Sequence, residues 1–149
     1  MQRHNGGMTL HAKARGLRRR LCLFALSPVL LGGARPAHAA TLQEAMGRAQ
    51  VLRDEAVAAG DQAYGAVVLR GDAVVGAAPS RVVTAGDPTA HAEMEAIRDA
   101  ARRLRSRDLS GCILVSTSRP CRMCEAAAGW AGISRMVHGE ALTDAGPPR

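Results

Sequence analysis

The pattern of hydrophobic and polar positions predicts three helices after residue 40. Apolar side chains recur at helical spacing from about 41 to 59, where Thr41 precedes Glu44 by three residues in the arrangement of a capping box. A second helix is predicted from about 89 to 104, and a third over "CRMCEAAAGWAG". The predicted apolar positions are Leu42, Ala45, Met46, Ala49, Leu52 and Val57 in the first helix, and Met94, Ile97, Ala101 and Leu104 in the second.

Short apolar runs between these helices predict the strands of a sheet. "YGAVVLR" and "AVVGAAP" flank a Gly-Asp turn and indicate a hairpin, while "CILVST" and "ISRMVHG" predict two more strands. Helices and strands that alternate at these lengths favour an α/β fold with a central sheet. We therefore predict one domain over residues 40–140, followed by a disordered tail over 141–149.

The charge of the chain is concentrated before residue 40. The sequence contains 20 basic and 13 acidic residues, which gives a formal net charge of +7. Seven basic residues and no acidic ones precede residue 40, so 20 − 7 = 13 basic residues balance the 13 acidic ones that follow. A domain without net charge argues against a nucleic-acid partner, because binding to phosphates depends on an excess of basic side chains.

Residues 1–39 have the layout of an export signal peptide. A basic segment that ends in "GLRRR" precedes the apolar run "LCLFALSPVLL", and Ala37-His38-Ala39 supplies small residues for cleavage. The run is shorter than the ~20 residues of a membrane-spanning helix, so we expect no stable membrane anchor. Its adjacent arginines also resemble a twin-arginine signal. We predict export to the periplasm, or a cytoplasmic location if the leader reflects a wrongly assigned start.

Residues suited to metal chemistry lie at the predicted starts of two helices. Cys121 and Cys124 are one helical turn apart, and Pro120 places Cys121 at a helix N-terminus, where exposed N–H groups favour a thiolate. His91 begins the second helix, and two helices that start at the same end of a sheet would unite these three residues. A tetrahedral catalytic zinc takes three protein ligands and keeps one open position. Glu93 would then lie beside the metal, placed to accept a proton from its water.

The cysteine pair alone also allows a thiol-redox function, which would leave His91 and Glu93 unused. The order H-x-E followed by P-C-x-x-C is much more specific, because it is the signature of zinc-dependent deaminases. Residues from about 63 to 139 resemble the cytidine deaminase-like zinc hydrolases, and in particular the branch of guanine deaminase and tRNA adenosine deaminase. The segments that carry the resemblance are "RVVTAGDPTAHAEMEAIRDA", "GCILVS", "PCRMC" and "GWAGISRMVHG".

This resemblance implies a three-layer α/β/α fold with a mixed five-stranded sheet. It implies Zn²⁺ on His91, Cys121 and Cys124, with Glu93 as the proton shuttle. Hydroxide would attack the amine-bearing ring carbon of the substrate, and ammonia would leave. The resemblance further implies that the backbone around Ala92 contacts the base, that Trp130 packs in the core and that the protein is a homodimer.

The sequence departs from the family pattern around the predicted pocket. Ser80 stands where this branch usually has an asparagine that binds the base, Arg119 where a glutamate is common, and Arg122 where a proline is usual. Members of the family normally continue into another helix and a fifth strand. We therefore expect a fold truncated at its C-terminus, with four strands or with a fifth edge formed by the short tail or a partner.

These observations predict a zinc-dependent hydrolytic deaminase of a free nucleobase, a nucleoside or a related amino-heterocycle. Two alternatives are a tRNA adenosine deaminase and a catalytically degenerate zinc-binding domain. Export and the neutral domain count against the first alternative. Glu93 counts against the second, because a purely structural metal site does not need that acid.

Overall fold

The computed structural model describes residues 41–149, and the predicted signal peptide over 1–39 lies outside them. The helices are α1 (Leu42–Ala58), α2 (Ala92–Leu104) and α3 (Arg122–Trp130), and the strands are β1 (Gly65–Arg70), β2 (Ala73–Pro79), β3 (Cys112–Ser116), β4 (Arg135–His138) and β5 (Thr143–Gly146). Within this described part of the chain, no helix combines the length and apolar character required to cross a bilayer.

The five strands form one mixed sheet in the order β2-β1-β3-β4-β5. β1 pairs with β2 and with β3 in antiparallel orientation, and β4 and β5 are also antiparallel. β3 and β4 are parallel, with Leu114 opposite Met136, and α3 makes the crossover between them. The predicted mixed central sheet and its hairpin are confirmed.

The helices cover both faces of the sheet because side chains of each strand alternate between the two faces. Val67 and Leu69 of β1 pack with α1, in a cluster that includes Met46. Ala66 and Val68 point to the opposite face, where they pack in the cluster that contains residues of α2 and α3. The predicted three-layer α/β/α arrangement is therefore confirmed.

Helix α1 begins with the predicted capping box. The backbone N–H of Glu44 donates to Oγ1 of Thr41 at 3.2 Å, and the backbone N–H of Thr41 donates to Oε2 of Glu44 at 2.7 Å. These reciprocal bonds satisfy two donors at the start of the helix. The predicted apolar face is largely correct, but Val57 is 55% exposed and Ala56 is buried in its place.

Helix α2 starts later than predicted because the residues before it form a turn. The N–H and hydroxyl of Thr89 both donate to Oδ1 of Asp87 at 2.7 Å, and this local bonding replaces the first helical turn. The helix then begins at Ala92, with His91 as its N-cap.

The buried face of α2 also differs from the predicted one. Of the four apolar residues predicted for that face, Ile97 is the one that is buried. The buried residues of the helix are Ala92, Glu93, Ala96, Ile97 and Ala100. Gly76 of β2 explains the difference, because a Cβ there would meet the carbonyl oxygen of Ala96 and lie 2.7 Å from Cβ of Ala100. Small residues on both elements allow the helix to approach the sheet closely.

Replacing Gly76 with alanine is expected to destabilise the fold by about 1–3 kcal/mol, because the added methyl group overlaps the backbone of α2. The free energy of unfolding, measured by urea denaturation, tests this expectation. Gly47→Ala is the matched control, since a Cβ at Gly47 in α1 meets nothing within 4 Å. The control is expected to gain about 0.5–1 kcal/mol from helix propensity. Equal stabilities of the two variants would contradict the close approach.

Two predictions for the C-terminal part of the chain are wrong. The tail over 141–149 is not disordered, because it contains β5, whose Asp144 lies opposite Val137 and accepts a hydrogen bond from Nε of Arg135 at 2.9 Å. The alternative expectation, a fifth edge formed by the short tail, is confirmed. Trp130 does not pack in the core, since it is 90% exposed at the last residue of α3.

Candidate metal centre

Two of the predicted metal ligands occupy the N-cap positions of their helices. His91 precedes α2 with φ −59° and ψ 151°, and Cys121 precedes α3 with φ −75° and ψ 170°. Neither side chain bonds to the backbone of its own helix, although N-cap side chains commonly do. Both side chains are therefore available to a ligand beyond the helix ends, and Cys124 joins them from the first turn of α3.

The three ligand atoms have the spacing of a tetrahedral zinc site. Nδ1 of His91 lies 3.8 Å from Sγ of Cys121 and 3.8 Å from Sγ of Cys124, and the two sulfurs are 3.7 Å apart. Zn–S bonds of about 2.3 Å and Zn–N bonds of about 2.0–2.1 Å at tetrahedral angles place two sulfurs about 3.8 Å apart, and a sulfur and a nitrogen about 3.6 Å apart. The residues present therefore fit Zn²⁺, and the cluster of His91, Cys121 and Cys124 is confirmed.

Cys124 is fully buried, and burial changes the acidity of its thiol. Burial raises the pKa of the Cys124 thiol well above its usual range, and the charge of Glu93 and the neighbouring Cys121 raise it further. A thiol that coordinates zinc is deprotonated outright. Zinc binding at this centre therefore releases a proton.

Glu93 is the second residue of α2 and lies beside the three ligands. Its side chain is 4% exposed and lines a cavity of about 290 Å³ together with His91 and Cys121. Burial raises the pKa of Glu93, against the opposing effects of its own backbone N–H, of His91 and of the Cys124 thiol. A buried carboxyl that faces a cavity next to a metal is suited to accept and return a proton.

Sequence reasoning placed Arg119 at the edge of the pocket, and Arg119 does line this cavity, but it missed Gln62, Tyr64 and Ser118. Gln62 and Tyr64 come from the loop between α1 and β1, and Ser118 and Arg119 come from the turn between β3 and α3. Tyr64 is 43% exposed and contributes to the wall of the cavity. No sequence motif marked Gln62 or Tyr64, because they approach the site only through the folded loop.

Asp61 organises that loop. Its carboxylate accepts hydrogen bonds from the N–H of Gln62 at 2.7 Å and the N–H of Thr84 at 2.7 Å. Desolvation raises the pKa of Asp61, but the hydrogen bonds from Thr84, Ser80 and Gln62 outweigh it, so that the pKa falls well below its usual range. The ionised Asp61 thus fixes the backbone next to Tyr64.

Ser80 and Ala92, the two predicted substrate contacts, have different surroundings. Ser80 is 2% exposed, its hydroxyl donates to Oδ1 of Asp61 at 2.8 Å, and it is not among the residues that line the cavity. This hydrogen bond stabilises the loop between α1 and β1 and does not face the cavity. Ala92 is fully buried between His91 and Glu93 at the start of α2. A contact between its backbone and a base stays a prediction.

Comparison with known proteins adds an independent observation. Residues 39–140 match the family model described as the cytidine and deoxycytidylate deaminase zinc-binding region. Guanine deaminase of Bacillus subtilis is 39% identical over 99 residues, which are 66% of this chain and 64% of that protein. The tRNA-specific adenosine deaminase of Aquifex aeolicus is 38% identical over 78 residues, which are 52% of each chain.

A solved structure shows the same fold. The X-ray structure of guanine deaminase from Bacillus subtilis superposes with a TM-score of 0.61 at 36% identity, and the match covers 65% of each chain. The chain thus spans less than two thirds of the length of these curated relatives.

Proposed function

The chain belongs to the cytidine and deoxycytidylate deaminase zinc-binding family, and on this premise we propose that it is a zinc-dependent aminohydrolase. Its substrate would be a free nucleobase, a nucleoside or a related amino-heterocycle. The observation that carries this proposal is the zinc-compatible cluster of His91, Cys121 and Cys124 with the buried carboxyl of Glu93 beside it.

The residues around the centre supply the steps of a hydrolytic deamination. His91, Cys121 and Cys124 would hold the zinc, which would supply a Lewis acid that lowers the pKa of a bound water toward neutral pH. Glu93 takes a proton from the attacking water and delivers it to the departing amine. One water is consumed, the ring carbon exchanges its C–N bond for a C–O bond, and ammonia leaves.

The cavity offers two groups that recognise a heterocyclic ring. Tyr64 lines the cavity, and an aromatic ring there can stack on a base, a contact worth about 1–3 kcal/mol per base. The Gln62 side chain carries an amide with both donors and an acceptor, which can pair with a ring edge. These residues support an amino-heterocycle as the substrate in the absence of the usual asparagine at position 80.

A second candidate function is deamination of adenosine in tRNA. The similarity to the tRNA-specific adenosine deaminase of Aquifex aeolicus favours it. The zero net charge of residues 40–149 counts against it, because association with tRNA draws on many contacts to phosphates.

Metal analysis and an ammonia-release assay test both candidates. We expect about one zinc per chain and ammonia from at least one amino-purine or amino-pyrimidine in a panel of bases, nucleosides and unmodified tRNA. Protein purified and refolded with zinc that still binds none would contradict the metal centre. Bound zinc without ammonia from any member of the panel would instead support a non-catalytic zinc domain.

A further inference from the structure

Asp61 accepts hydrogen bonds from two segments that meet beside the cavity of the metal centre. The first is the loop before β1, where the N–H of Gln62 donates to Oδ1 of Asp61 at 2.7 Å. The second follows β2, where the N–H groups of Val83 and Thr84 donate to Oδ2 at 3.0 Å and 2.7 Å. The hydroxyl of Thr84 adds a bond of 2.9 Å to the same oxygen. One carboxylate therefore joins two segments that are distant in sequence.

The second segment is a helical turn that Asp61 caps from outside. The N–H of Ala85 donates to the carbonyl oxygen of Arg81 at 2.9 Å and closes the turn. The N–H groups of Val83 and Thr84 belong to its start, where no earlier carbonyl of the turn can accept them. Such donors are usually accepted by the side chain that directly precedes the turn. In this fold the acceptor is Asp61, from the other segment.

Ser80 precedes this turn and connects it further. Its hydroxyl donates to Oδ1 of Asp61 at 2.8 Å, and its N–H donates to the carbonyl oxygen of Tyr64 at 2.9 Å. The N–H of Arg81 donates to the carbonyl oxygen of Ala90, the residue before the histidine ligand, at 2.9 Å. The turn is therefore bonded both to the wall of the cavity and to the approach to the metal centre.

We propose that Asp61 is a positioning residue for substrate binding, which acts through the loop that carries Gln62 and Tyr64. This inference rests on the proposed deaminase activity. Asp61 does not line the cavity, whereas Gln62 and Tyr64 do, so Asp61 acts on the ring of the substrate through them. Contacts to the ring are made in the substrate complex and in the transition state alike. Loss of such uniform binding raises KM and leaves kcat unchanged.

Asp61→Asn tests the proposal. The amide offers one acceptor oxygen in place of two and presents an NH₂ group to the remaining N–H donors. We expect KM for ammonia release to rise about 10-fold, the effect of losing hydrogen bonds to a charged group. The kcat per bound zinc should stay within about 2-fold of the wild type. Asp54→Asn is the matched control, because Asp54 is exposed on α1, pairs with Arg53 and does not line the cavity.

A double-mutant cycle tests whether Asp61 acts through the cavity wall. In a Gln62→Ala/Tyr64→Ala background, Asp61→Asn should raise KM by about 3-fold or less, because the side chains that it positions are gone. A purely structural role would lower kcat through loss of active protein and leave KM unchanged. That result would overturn the proposal, and so would an equal rise in KM in both backgrounds.

Direct binding separates this inference from the proposed function. Calorimetry with guanine, adenosine and cytidine is performed on the zinc-loaded Glu93→Gln variant, with and without Asp61→Asn. Binding that weakens about 10-fold with Asp61→Asn supports the positioning role even if no substrate releases ammonia. Absence of binding by all three probes, or binding that Asp61→Asn leaves unchanged, overturns the role whatever the activity.

Amide hydrogen exchange, followed by NMR, tests the network itself. In Asp61→Asn the amides of Val83 and Thr84 should exchange about 10-fold faster, because they lose a charged acceptor. The amide of Val67, in the middle of β1, should exchange as in the wild type. Unchanged exchange at Val83 and Thr84 would contradict the capping of the turn and overturn the proposal.

Discussion

Glu93→Gln is expected to lower kcat for ammonia release by about 10²- to 10⁴-fold, the usual contribution of a positioned general acid–base. The amide has the shape of the carboxyl but cannot take a proton from water and return it to the departing amine. Glu93 is buried beside the centre, and the ligand cluster is formed by other residues, so the variant should keep about one zinc per chain. Steady-state kinetics and metal analysis on the same sample measure both quantities.

Glu95→Gln is the matched control for this substitution. Glu95 lies in the same first turn of α2, but its carboxylate pairs with Arg98 and does not line the cavity of the metal centre. We expect its kcat within about 2-fold of the wild type, because breaking an ion pair of this kind costs about 0.2–1 kcal/mol of stability. Loss of zinc in Glu93→Gln would show that Glu93 holds the metal, and an unchanged kcat would show that it carries no proton.

The metal centre could be predicted because its residues are placed by local structure. His91 and Cys121 are N-caps, and Glu93 and Cys124 follow within the first turn of the same helices. The spacing of residues within a helix start is fixed by sequence alone. The remaining step, that both helices start at the same end of the sheet, follows from the order of helices and strands.

The walls of the pocket could not be predicted in the same way. Gln62 and Tyr64 reach the cavity because Asp61 binds the loop around Thr84, more than twenty residues further along the chain. Neither the hydrophobic periodicity nor any sequence motif predicts this contact between Asp61 and the distant loop. Ser80 belongs to the same hydrogen-bond network, because its hydroxyl donates to Asp61. The sequence had instead predicted that Ser80 contacts the substrate.

Packing details also required the structure. Hydrophobicity favoured Met94 and Leu104 for the buried face of α2, but the close approach at Gly76 selects alanines instead. The tail residues have a low intrinsic preference for strand, and β5 forms because the exposed edge of β4 offers hydrogen bonds to them.

Loss of one metal ligand should have an effect as large as loss of Glu93. Cys124→Ser is expected to reduce bound zinc from about one per chain to near zero, because a neutral hydroxyl is not among the ligands that zinc takes in proteins. Ammonia release should then fall by about 10³-fold or more, since activation of the water is lost. The thermal midpoint of the wild type should drop when a chelator removes zinc, because a ligand that binds the folded state stabilises it by about 4 kcal/mol at 1,000 times its Kd.

Cys112→Ala separates this effect from the loss of a buried thiol. Cys112 is as fully buried as Cys124, but it packs in the core cluster between the sheet and α2 and is not among the grouped ligands. Its substitution should cost about 1 kcal/mol of packing while zinc content and sensitivity to the chelator are kept. In Cys124→Ser the chelator should no longer shift the midpoint. A full complement of zinc in Cys124→Ser, or its loss in Cys112→Ala, would mean that the three-ligand centre is wrongly assigned.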